Sequence, residues 1–199
     1  MKRWLLWIWL GALVAGLHGQ TVPEAWLQEN FGKKLVKTNG KTVPVSTTLG
    51  RKQIIGIYFS AHWCGPCRAF TPKLVEFRRE CAKKNYSFEV VFVSSDKTEE
   101  EMAGYMKEAS MPWPAVSFTA KERKALHEKY GIRGFPTLVI VDQTGRVITK
   151  NGRMDVVNGG VKAYPRWLAP DYKPFTNQDH QKKATPEKTA PKTRKRRQK

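Results

Sequence analysis

Two cysteines three residues apart, Cys64 and Cys67, stand between an apolar run and a helical stripe, and no other feature constrains the chain as much. Ile54-Ile55-Gly56-Ile57-Tyr58-Phe59 is a continuous β-branched and aromatic stretch, the pattern of a strand buried on both faces. After Cys67, Phe70, Leu74, Phe77 and Cys81 recur at four- and three-residue steps, which predicts an amphipathic helix reaching about Lys84. Pro66 suits the first turn of such a helix, where no backbone N–H is needed. Cys64 then lies beside unpaired N–H groups at the positive end of the helix dipole, and both favour thiolate over thiol. The pair reads as a redox-active dithiol, with Cys64 as nucleophile and Cys67, one turn into the helix, as the resolving thiol.

Two other uses of such a pair remain open and weigh less. A zinc site needs about four ligands. Cys81 and the scattered histidines offer no second pair at ligand spacing, so no metal is expected. A purely structural disulfide across one helical turn closes a very short loop and constrains little of the unfolded chain. Cys81 lies about 21 Å from Cys67 at ~1.5 Å per helical residue, too far for a bridge. Its place on the apolar stripe predicts a buried, inert thiol.

Trp63-Cys64-Gly65-Pro66-Cys67 after a hydrophobic strand resembles the thioredoxin signature. The longer stretch from Tyr58 to Leu74 is similar to the nucleoredoxin and tryparedoxin branch, as are Val90-Val91-Phe92-Val93-Ser94-Ser95-Asp96 and Tyr130-Gly131-Ile132-Arg133-Gly134-Phe135-Pro136-Thr137-Leu138. Gly65-Pro66 departs from the Pro-Pro that this branch commonly carries. The resemblance implies an α/β thioredoxin fold, a central mixed sheet with helices on both faces, and no cofactor beyond the dithiol. It makes Trp63, Gly65, Pro66, Phe135 and Pro136 the substrate-binding residues, with Trp63 as a platform and Pro136 in the cis form. At Tyr58, thioredoxin itself carries a buried aspartate. A phenol with a reference pKa near 10 cannot replace that base at neutral pH, which leaves water or His62 for the proton. Arg68 is a further source of positive potential, or a solvated charge on the helix face.

The ends read differently from the middle. Lys2-Arg3, then fourteen uncharged residues from Trp4 to Leu17, predict a signal peptide over residues 1–19, or an N-terminal anchor over 4–17. Residues 20–170 then form the domain, exported to a periplasmic or extracellular space. Residues 171–199 carry ten Lys and Arg against three acids, a share of the overall +19 that predicts a disordered basic tail. Its charge suits a solubilising tail or a tether to an anionic envelope surface, with no specific nucleic acid partner expected.

Between the ends, a short helix is expected over Pro23–Phe31, and a hairpin over Lys33–Val45 around Thr38-Asn39-Gly40-Lys41. Phe88 to Val93 reads as a buried strand, and Asp96 as the N-cap of a helix reaching Ala109. A loop at Met111–Pro114, a helix over Lys121–Tyr130 closed by Gly131, a strand pair from Thr137 to Thr149 and a helix over Val156–Leu168 complete it. The expected function is an exported thiol:disulfide oxidoreductase acting on protein disulfides with an unidentified reducing partner. A tryparedoxin-like donor to peroxidases, or a tethered binding module with a non-catalytic disulfide, are the alternatives.

Overall fold

The computed structural model describes residues 21–176, so the expected signal or anchor segment and residues 177–199 of the tail lie outside the described residues. Three long strands form the centre: β3 (Ile54–Ser60), β4 (Phe88–Ser94) and β6 (Thr137–Asp142). β3 pairs with β4 in parallel and with β6 antiparallel. Alternate residues point to two separate cores, which is why these runs lack a polar face. Ile54, Tyr58, Val90, Phe92, Leu138 and Ile140 belong to one core, and Ile55, Ile57, Phe59, Val91, Val93 and Val139 to the other. Gly56 is needed at the centre of β3, because a Cβ there would lie 3.1 Å from Phe88 and 3.2 Å from Leu138.

The sheet extends on both sides. The hairpin β1 (Lys34–Val36) and β2 (Thr42–Pro44) forms one edge, joined to β4 through the two-residue strand β5 (Ala115–Val116). β7 (Val147–Thr149) closes the other edge against β6. The whole is a mixed seven-stranded sheet in the order β2-β1-β5-β4-β3-β6-β7.

Helices cover both faces. α1 (Glu24–Phe31), α2 (Val45–Leu49) and α5 (Lys121–Tyr130) supply the core of Leu27, Phe31, Leu49, Leu126 and Tyr130. α3 (Gly65–Lys83), α4 (Glu99–Glu108), α6 (Gly152–Gly159) and α7 (Ala163–Leu168) cover the other face. α3 continues through Pro72, and α5 ends at Gly131 with φ 60°, the left-handed conformation that glycine adopts without a Cβ penalty.

Several expectations are corrected. Thr98, not Asp96, caps α4: its hydroxyl accepts the Glu101 N–H at 3.2 Å, while Asp96 is engaged elsewhere. The last helix breaks into α6 and α7 around a 3-10 turn over Gly160–Lys162. Packing also continues past Pro170. Tyr172 donates to the buried Asp155 at 2.7 Å, the Phe175 N–H does so at 3.0 Å, and the Phe175 ring is buried.

Candidate active site

The dithiol sits where β3 ends and α3 begins. Cys64 and Cys67 form a disulfide with their Cα atoms 5.2 Å apart. Cys64 is the N-cap of α3, and its sulfur accepts the Cys67 N–H at 3.3 Å. Gly65 and Pro66 are exposed on the first turn. Cys64 is 6% exposed and Cys67 fully buried, so an incoming group meets Cys64 first. A thiolate formed at Cys64 keeps that N–H and the helix dipole as its stabilisers.

A loop from across the sheet completes the site. The Phe135–Pro136 bond is cis, and Phe135 packs on the cluster formed by Ala61, Cys64 and Cys67. The Trp63 ring is 56% exposed and meets Phe135 edge-to-face with centroids 6.0 Å apart. Its indole N–H donates to the Ser95 carbonyl at 3.2 Å, so the ring is held despite its exposure.

The loop carrying Trp63 is held from below. Asp96, buried after β4, accepts the His62 N–H at 2.7 Å and the Ser94 hydroxyl at 2.7 Å. Arg68 reaches back to the His62 carbonyl at 3.2 Å, so it braces this loop. The His62 ring stacks on Tyr105 and pairs with Glu108 at 2.9 Å, on the solvent side.

Behind the dithiol lies an uncharged hydroxyl network. Tyr58 bonds Thr71, Thr71 bonds Tyr105 and the Cys67 carbonyl, and Tyr105 bonds Ser60. Burial, then the neighbouring Tyr105, push the Tyr58 phenol well above its usual value, so it holds its proton throughout the working pH range. Cys81 is free and buried, and burial raises its thiol to about 12. No group of three or more His, Cys, Asp or Glu able to hold a metal lies among the described residues.

Sequence reasoning missed Asp96 as a loop brace, together with Ser95, Tyr105 and His127. Asp96, Ser95 and Tyr105 lie 32 or more residues from the Trp63 loop they contact. His127 reaches that loop only through Ser95 and Phe135, and nothing local marks them. Ser94 and Ser95 were visible only as part of a family resemblance, and Asp96 beyond that only as a helix N-cap.

A disulfide at a helix N-terminus, opposite a cis-proline loop on a mixed sheet, defines a thioredoxin-like protein. Comparison with known proteins agrees. A family model described as thioredoxin-like matches residues 51–147. Probable nucleoredoxin 1 of Arabidopsis thaliana is 47% identical over 132 residues, which are 66% of this chain and 22% of that protein. The chain spans under a third of the curated relatives it matches. Thioredoxin related protein 16 of Carcinoscorpius rotundicauda is 43% identical with a TM-score of 0.61, over 70% of this chain and 97% of that one. Tryparedoxin II of C. fasciculata is 32% identical with a TM-score of 0.61, over 68% and 92%. The chain belongs to the thioredoxin-like family, in its nucleoredoxin and tryparedoxin branch.

These relatives correct the expectation of export. The curated relatives are nucleoredoxins, and the Carcinoscorpius protein is described by a role in regulating transcription factor NF-kB activity. Among the described residues no helix is long and apolar enough to cross a membrane.

Proposed function

We propose that the protein is a thiol:disulfide oxidoreductase that reduces or exchanges protein disulfides through Cys64 and Cys67. The observation that carries this reading is the disulfide itself. It caps α3, with Cys64 less deeply buried than Cys67 and the exposed Trp63 beside it.

The chemistry follows from that placement. In the reduced protein the Cys64 thiolate attacks one sulfur of a substrate disulfide. A Cys64–substrate bond forms, the substrate bond breaks, and one substrate thiolate leaves. Cys67 then gives up its proton and attacks Cys64, which closes the observed disulfide and frees the second substrate thiol. Two electrons pass from the dithiol to the substrate, and a thiol donor must restore them. Trp63, Gly65, Pro66, Phe135 and Pro136 form the surface that a substrate segment would meet. With no carboxylate at Tyr58, water that reaches the opened site takes the Cys67 proton.

Likeness to tryparedoxin II supports a second reading, a donor to peroxidases, and peroxidase turnover tests it. Titration of the couple tests the direction of the chemistry. A potential near the thioredoxin value of about −270 mV supports reduction, and one near about −120 mV would support oxidation. A pair that resists reduction altogether would leave only a structural disulfide.

A further inference from the structure

Four residues from four segments form a closed ring beside the dithiol. The Trp63 indole donates to the Ser95 carbonyl at 3.2 Å, and the Ser95 hydroxyl lies 3.2 Å from His127 Nε2. The His127 ring meets Phe135 edge-on with centroids 5.9 Å apart, and Phe135 meets Trp63 at 6.0 Å. Trp63 precedes α3, Ser95 follows β4, His127 lies on α5 and Phe135 precedes β6. The imidazole also lies edge-on to Phe59 of β3 at 5.0 Å, so its plane is fixed from below.

We propose that His127 is a positioning residue for the substrate surface: its neutral imidazole closes this ring and holds Trp63 and Phe135 in place around Cys64. The inference rests on the oxidoreductase reading and adds a specific device to it. The Ser95 hydroxyl can donate or accept, so which it does at Nε2 follows the imidazole tautomer. In the arrangement proposed, the ring proton sits on Nδ1 and Nε2 accepts from the Ser95 hydroxyl. Protonation would turn Nε2 into a donor and take that acceptor from Ser95.

The surroundings oppose protonation. Burial, then the charge of Arg123 on the same helix, hold His127 below its usual value, partly offset by the Ser94 carbonyl. Arg123 itself donates to that carbonyl at 3.2 Å. The other faces are uncharged: Phe59, Phe135 and the Ser95 hydroxyl. The nearby Asp96 carboxylate is committed to the His62 N–H and the Ser94 hydroxyl. The ring is therefore intact at neutral pH and loosens in acid.

The test is steady-state reduction of insulin by the full chain, with dithiothreitol as electron donor, from pH 5.5 to 8. His127→Ala should raise KM about three- to tenfold at pH 7.5, the loss of one ordinary hydrogen bond, with the Cys64/Cys67 potential unchanged. His127→Gln, which offers an uncharged acceptor, should recover part of that loss and abolish the acid-side rise in KM. Ser95→Ala should raise KM as well, and the double variant with His127→Ala should be no worse than the worse single one. A wild-type KM that follows the same pH profile as His127→Gln would overturn the proposal. So would a shift in potential or kcat with KM unmoved. Should His127→Ala fail to fold, the Trp63 indole ¹⁵N–¹H signal of the wild type decides: it moves with the His127 titration, or the proposal falls. Failure of the oxidoreductase reading would look different, as undiminished turnover in Cys64→Ser.

Discussion

The Tyr58 hydroxyl lies 2.8 Å from Thr71 Oγ1, and Thr71 in turn reaches the Cys67 carbonyl at 3.0 Å. Thr71 has one proton to give, and the carbonyl can only accept, so Tyr58 and Tyr105 each donate to the Thr71 oxygen. The position that resembles the buried aspartate of thioredoxin is thus a neutral hydroxyl with its proton already committed. Tyr58→Phe should keep insulin turnover within about twofold and cost about 1 kcal/mol of stability, the worth of one hydrogen bond. A loss of turnover beyond tenfold in urea-stable Tyr58→Phe protein would show that the phenol does take part in proton transfer.

Asp155 should be the anchor of the C-terminal segment. It is fully buried and accepts from Trp167 Nε1 at 2.9 Å as well as from Tyr172 and Phe175. The Phe175 ring fills the space above Gly159, where a Cβ would come within 2.6 Å of it. A chain ending at Thr176 is expected to melt like the full chain. One ending at Pro170 loses two of the three donors and the buried ring, and should melt roughly 5–10 °C lower, at about 2–4 °C per kcal/mol for a domain of this size. Identical melting of the two truncations would contradict the anchor.

Cys81 should not react in the folded protein. Its thiol, raised to about 12 by burial, holds almost no thiolate at pH 8. Iodoacetamide should label the reduced native chain at Cys64 and reach Cys81 only in denaturant. Cys81→Ala should leave turnover unchanged. Rapid native labelling of Cys81 would show that this side of α3 opens.

His127 also predicts how stability depends on pH. Its folded-state pKa lies below the unfolded reference of about 6.5, so the unfolded chain binds the proton first. Its contribution is complete above about pH 6.5 and is lost as pH falls from there through the lower folded value. Urea midpoints from pH 7.5 to 5 should fall for the wild type and flatten in His127→Gln. Parallel curves for the two would contradict the assignment of a neutral, half-buried imidazole.

The parts of the fold legible in the sequence were those whose pattern is local. β3, β4 and β6 announced themselves as largely apolar runs, interrupted in β4 only by Glu89 before Val90, because both faces of the central sheet are covered, and α3 as a stripe because only one face is. The β1–β2 turn was legible in Asn39-Gly40, where Gly40 takes φ 76°. What escaped depends on distant partners. Asp96 and Thr98 both suit an N-cap, and only the His62 N–H, 34 residues away, decides between them. α2 was hidden because Thr42-Val43-Pro44-Val45 reads as extended chain, yet the Thr47 and Thr48 hydroxyls both turn back to the Pro44 carbonyl. β5 is two residues long, directly after Pro114, and exists only through its neighbours in the sheet. Tyr172 and Phe175 were lost in a run read by its charge. At the site, the cysteines, Trp63 and the Phe135–Pro136 pair were visible, whereas Ser95 and His127 are ordinary residues until the fold brings them together.

The most direct test of the central claim is to trap the reaction between its two steps. Reduced Cys67→Ser protein mixed with insulin should accumulate one mixed disulfide, because the resolving attack is gone, and peptide mass spectrometry should place it on Cys64. Cys64→Ser should form no such adduct and should lose insulin reduction. An adduct on Cys81, equal trapping by both variants, or near-wild-type turnover without Cys64 would contradict the account.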